Sequence, residues 1–125
     1  MTAKIAALVF FLFLALIILA ADTGQMPAFV RAAYDYPNGD RVGHVVLYGI
    51  FAFLLSSAFP STFRLRSFRV SIALLALLVF CVAEEFSQSL FSTRTPDPVD
   101  LICSCVGAMS GSWLAVCWNK VRRIE

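Results

Sequence analysis

Charge is scarce in this sequence. Only 14% of its 125 residues are Asp, Glu, Lys or Arg, where a soluble domain carries about 25%. Together with 60% hydrophobic residues and a mean hydropathy of +0.83, that scarcity excludes a soluble domain, for which roughly 45–50% apolar residues is usual. The net charge is only +2 and the basic residues are scattered, so they form no nucleic-acid-binding patch. There is also no internal repeat, no disordered tract, no metal-ligand set and no activated serine or cysteine. Cys81, Cys103, Cys105 and Cys117 all fall within apolar runs, where a thiol behaves as a small hydrophobe. Cys103 and Cys105 are two apart and point to nearly opposite helix faces, which disfavours a shared metal. Structural roles are expected for all four, with no disulfide framework, no metal and no cofactor.

What the chain does have is four apolar runs, at residues 5–21, 42–59, 70–91 and 99–118, each 17 to 22 residues long. A helix needs roughly 20 residues to cross a hydrocarbon core. The expectation is an all-α, four-helix transmembrane bundle forming a single domain over residues 1–125, with no room for a second. The first run begins behind Lys4 and ends in Ala20-Ala21, which mimics a secretory signal. Its apolar core exceeds the roughly 7–15 residues of a signal, and Leu19 is a poor residue three before a cut after Ala21. A retained span is expected, a cleaved signal being the alternative.

Lys and Arg set the orientation of such a bundle. Lys4, Arg64, Arg66, Arg69, Lys120, Arg122 and Arg123 make seven on one side, against Arg31, Arg41 and Arg94 on the other. Both termini are therefore expected in the cytoplasm. The outer side then carries residues 22–41 and 92–98. Within the first of these, Tyr34 and Tyr36 suit the headgroup level, and Pro37-Asn38-Gly39 reads as a turn before the second span. Around residues 28–34 this loop is expected to fold back as a short helix or lid.

Ionisable residues inside or beside a span are costly and so mark candidate sites. Here they gather near the outer edge. His44 and Tyr48 are four apart and share a helix face; Asp40 precedes them as an expected N-cap, with Arg41 beside it. Gln88 follows Glu85 by three and Glu84 by four, while the two glutamates point about 100° apart. Glu84 lies about 21 Å along a helix from Val70, in the outer third of a core roughly 30 Å thick. Asp97, Pro98 and Asp100 make a helix start of cap, first-turn proline and first-turn carboxylate. Two helix N-termini at this face, with Arg41, Arg94 and His44, would favour an anion. The C-terminus of the third helix disfavours the glutamates, so Glu85 is expected to pair with His44 or Arg94. Gly107, Gly111, Ala108, Ser110 and Ser112 read as a close helix-packing face.

Asp40-Arg41-x-x-His44-x-x-x-Tyr48, Glu85-x-x-Gln88, Arg94, Asp100, Gly107 and Gly111 together resemble the VanZ-like family, small membrane proteins named after a gene associated with glycopeptide (teicoplanin) resistance. The resemblance runs from about residue 40 to residue 111. It implies a multi-pass protein of the bacterial cytoplasmic membrane whose biochemical activity is undefined. Arg41 stands where the family usually has lysine, keeping the charge but changing the hydrogen-bond geometry. Ser104 stands where the family usually has asparagine; being short, it is expected to bond its own helix backbone rather than reach the cluster.

Three functions follow as alternatives. The first in rank is a binding or accessory role in the envelope or glycopeptide-antibiotic response. Membrane lipid, or a lipid-linked or envelope ligand at the outer face, would then be the partner, with Asp40, Arg41, Tyr48, Gln88, Arg94 and Asp100 as ligand-binding candidates. The second is a membrane-embedded enzyme acting on a phosphate-bearing lipid or envelope substrate, with His44 and Glu85 as catalytic candidates for proton transfer. The third is structural, the cluster serving as interhelical glue. The sequence does not set the oligomeric state.

Overall fold

The computed structural model describes residues 2–124 and is mostly helical. Helix α1 covers Ala3–Asp22, α2 Ala28–Asp35 and α3 Gly39–Ala58; strands β1 (Thr62–Leu65) and β2 (Phe68–Ser71) follow, then helices α4 (Ile72–Gln88) and α5 (Pro98–Arg122). Helices α1, α3 and α5 are long and apolar enough to cross a membrane. Helix α4 has 17 residues, about 26 Å at 1.5 Å per residue.

The antiparallel hairpin of β1 and β2 departs from the all-α expectation, and it takes Val70 and Ser71 out of the third apolar run. Its cause is local: Phe63 and Leu65 alternate with Arg64, and Phe68 and Val70 with Arg69, a period of two that suits a strand. Arg66, at φ 54° in the left-handed region, makes the turn. Ser71 then caps α4, its hydroxyl accepting from the Leu74 N–H at 3.3 Å. At the other end α4 stops at Gln88, short of the expected residue 91. The short helix foreseen around residues 28–34 is α2.

Helices α3 and α5 run parallel in the closest contact of the molecule. Gly49 faces Gly107 and Gly111, and further along the Ser56 hydroxyl donates to Ser112 Oγ at 2.9 Å. A methyl at Gly107 would collide with the Val45 carbonyl, and one at Gly111 with that of Gly49. This is the small-residue contact that lets helix backbones approach in lipid. Helix α1 runs antiparallel to α3. Phe10 and Phe11 lie against Phe51, and the Lys4 ammonium sits 5.8 Å from the centre of the Phe59 ring. Helix α4 closes the bundle, with Leu77 and Cys81 in a core shared with Leu14, Tyr48, Phe51, Ala52 and Ala108. The outer face of α1, including Leu8, Leu12, Leu16 and Leu19, is exposed, as suits a lipid-facing surface.

These directions divide the molecule into two ends. One gathers the start of α1, the hairpin and the end of α5, and with them Lys4, Arg64, Arg66, Arg69, Lys120, Arg122 and Arg123. The other gathers the end of α1, α2, the starts of α3 and α5 and the end of α4, and it holds most of the carboxylates.

Candidate functional site

At the acidic end Arg94 occupies the centre. It lies on the loop between α4 and α5, yet its side chain is only 11% exposed. Its Nη2 is 3.5 Å from Glu84 Oε1 and its Nε is 3.6 Å from Asp22 Oδ1. The loop is tied down by Thr93, whose hydroxyl donates to the carbonyl of Asp22 at 2.6 Å. Glu84 is further held by the Tyr48 hydroxyl, which donates to Oε2 at 3.4 Å, and by Gln88 Nε2, which donates to Oε1 at 2.9 Å. A carboxylate at a helix C-terminus faces the negative end of the helix dipole and needs a cation. Arg94 supplies that cation to α1 and α4 at once.

The ion pair expected of Glu85 thus falls to its neighbour. Glu85 points toward α5 instead, where its Oε1 accepts the backbone N–H of Asp97 at 2.7 Å, with Gln88 Nε2 at 3.5 Å from Oε2. The two glutamates diverge around the helix, and only Glu84 faces the arginine. Asp97 caps α5 as expected, its Oδ1 accepting the Val99 N–H at 2.9 Å, and its other oxygen lies 3.7 Å from Arg41. Asp40 does not cap α3. That position belongs to Asn38, at φ 60°, and Asp40 sits in the first turn, where its Oδ1 accepts the N–H of Arg41 at 2.9 Å.

His44 joins α3 to α5. Its Nδ1 lies 2.8 Å from Ser104 Oγ and its Nε2 lies 4.0 Å from Asp100 Oδ2, while its ring stacks over Tyr48 with 6.0 Å between centroids. Ser104, expected to fall short, reaches because Gly107 brings the two helices so close. Serine, histidine and aspartate thus stand in a row, with Ser104 and Asp100 at opposite nitrogens of the His44 ring. Ser104 is buried between α3 and α5 and does not line the cavity described below. Asp100 is 5% exposed, and its Oδ1 has no hydrogen-bonding partner among the described residues.

A cavity of about 160 Å³ opens beside this cluster. Leu14, Ile17 and Ile18 of α1 and Met26, Val30 and Ala33 around α2 form its apolar walls; Asp40, His44, Tyr48, Glu84 and Arg94 form its polar end. Helix α2 acts as the lid. Its close seating requires Gly39, where a side chain would collide with the carbonyl of Ala33. Tyr34 also lines the cavity, and burial pushes its phenol above the ordinary value, with Arg94 opposing. Arg41, Glu85, Gln88 and Asp100 do not line the cavity. Sequence reasoning missed Asp22 and Tyr34 and ranked Glu84 below Glu85. A signal for Asp22 existed: it too is a carboxylate at the C-terminus of an apolar helix.

Charge at this end runs against the expected anion. Asp22, Asp35, Asp40, Glu84, Glu85, Asp97 and Asp100 outnumber Arg31, Arg41 and Arg94; Arg41 and Arg94 are already engaged by carboxylates, and Arg31 donates to the carbonyl of Gly24 at 3.0 Å. The N-termini of α3 and α5 are likewise occupied by first-turn acids. Among the described residues no group of three or more His, Cys, Asp or Glu is arranged to hold a metal ion.

Comparison with known proteins adds one finding: the model of a protein family described as VanZ/LLP1 matches residues 2–119. No curated protein matches the chain, and neither does any solved structure.

Proposed function

The chain belongs to the VanZ/LLP1 family, and from that premise we propose a multi-pass protein of the bacterial cytoplasmic membrane that captures an envelope component in the cavity under α2, as a binding or accessory protein in the glycopeptide-antibiotic response. In this reading α4 is the fourth crossing, and both termini lie in the cytoplasm, the side that basic residues favour. The observation that carries it is the cavity itself, which has apolar walls along α1 and α2 and a polar end at His44, Tyr48, Glu84 and Arg94. Such a shape suits an amphipathic ligand, its apolar part against α1 and its head at the polar end. The excess of carboxylates favours a head rich in hydroxyl or amine groups over a free phosphate. For the same reason an enzyme acting on a phosphate-bearing substrate ranks second, and Glu85, bound to the start of α5, is poorly placed as its proton carrier.

Leu47 lines the cavity, and Leu47→Trp would fill it. Cells expressing the wild-type chain are expected to tolerate more teicoplanin than cells with an empty vector. At equal protein level, Leu47→Trp should remove the difference, together with any lipid that copurifies with the wild type in native mass spectrometry. Equal tolerance in the two strains and equal lipid retention would refute the reading.

A further inference from the structure

The hairpin at the basic end takes no part in the site just described. Its register sets Phe63 opposite Val70 and Leu65 opposite Phe68, so these four side chains share one face. Arg64 stands opposite Arg69 on the other face. The apolar face is open: Phe63 is 38%, Leu65 59% and Phe68 75% exposed. A two-stranded hairpin is marginal in water at best, and like charges directly across a ladder destabilise it further. Both weaknesses disappear in one environment, a bilayer interface with anionic headgroups. There the apolar face enters the acyl boundary, and a phosphate lies between the two guanidinium groups.

We propose that the hairpin of residues 62–71 is an interfacial anchor that clamps the headgroup phosphate of an anionic phospholipid between Arg64 and Arg69. Arg64 is already set for this. Its Nε donates to the carbonyl of Arg66 at 3.1 Å, and its two terminal nitrogens have no partner among the described residues, which suits a bidentate contact. Charge complementarity extends beyond the pair, because Lys4, Arg66, Lys120, Arg122 and Arg123 lie at the same end and no Asp or Glu does among the described residues. Basic residues beside a span are attracted to anionic lipid within a Debye length. The clamp is independent of the cavity under α2, and its failure would leave that reading untouched.

The test uses the full chain in two forms. In the first, Trp113 and Trp118 are replaced by phenylalanine and Phe68 by tryptophan. In nanodiscs containing phosphatidylglycerol its emission is expected to shift to the blue and to be quenched by lipids brominated near the headgroup. In the second, phosphatidylglycerol retention is titrated in phosphatidylcholine micelles by native mass spectrometry. Arg64→Gln with Arg69→Gln should weaken retention about 30-fold, and phosphatidylcholine binding should not change. Three results would overturn the proposal: Phe68→Trp emission like that in water, equal phosphatidylglycerol retention by wild type and double variant, or shielding of the tryptophan that appears only when a soluble protein fraction is added. The fluorescence arm keeps both arginines, so a folding defect in the double variant cannot decide the outcome.

Discussion

Arg94 is held between carboxylates from two helices, and its removal would strand Asp22 and Glu84 in a buried setting without a counter-charge. Breaking a buried pair by deleting one partner costs about 3–5 kcal/mol. Arg94→Ala is therefore expected to lower unfolding stability in micelles by about that much. Adding Glu84→Gln to the same chain should restore part of the loss, because one stranded charge is gone. No loss in Arg94→Ala would mean that the guanidinium is not bonded as described. At this scale the sequence was legible in kind: His44 meets Asp100, while Tyr48, Gln88 and Arg94 meet at Glu84, and the stacking of His44 on Tyr48 links the two groups. The pairing was not legible. Glu84 and Glu85 differ by a single step around a helix, and which of them meets Arg94 depends on the rotation of α4 in the bundle.

Between elements, the contact of α3 with α5 rests on glycine. Inserting a methyl into a fully packed contact costs about 1–3 kcal/mol, so Gly111→Ala is expected to destabilise the chain within that range. It should also part Ser104 from His44, and the imidazole would then report a changed environment by NMR. Gly43→Ala, on the partner helix α3, is the control. A Cβ there meets nothing within 4 Å, and alanine is the better helix former by about 1 kcal/mol. Equal effects from the two substitutions would argue against the close contact. The small-residue face was readable from the order of Gly107, Ala108, Gly111 and Ser112, which are buried, while Ser110, expected with them, is exposed and donates its hydroxyl to the Val106 carbonyl instead. The hairpin escaped because its alternation is short and its arginines read as an ordinary basic loop.

For the whole molecule, the separation of basic and acidic ends makes a topological prediction that α4 decides, being the shortest of the four long helices. On a background lacking the native cysteines, Ser67→Cys and Thr95→Cys flank α4 on its two sides. With an impermeant maleimide on intact cells, Thr95→Cys is expected to label and Ser67→Cys to label only after permeabilisation. Labelling of both from one side would remove α4 from the set of crossings and overturn the arrangement proposed for the termini.

Composition and the spacing of apolar and charged residues were enough to establish a membrane-embedded helical chain, the rough extent of its long helices and the end at which its polar residues meet. Those properties depend on transfer energies and on 3.6 residues per turn, which act locally and can be read along the chain. Helix rotation, the reach of Ser104, the capture of Asp22 by Arg94 and the acidic balance around the cavity were decided only when the helices packed. Each depends on which atoms from distant segments come within a few ångströms of one another, and no local pattern in the sequence encodes that distance.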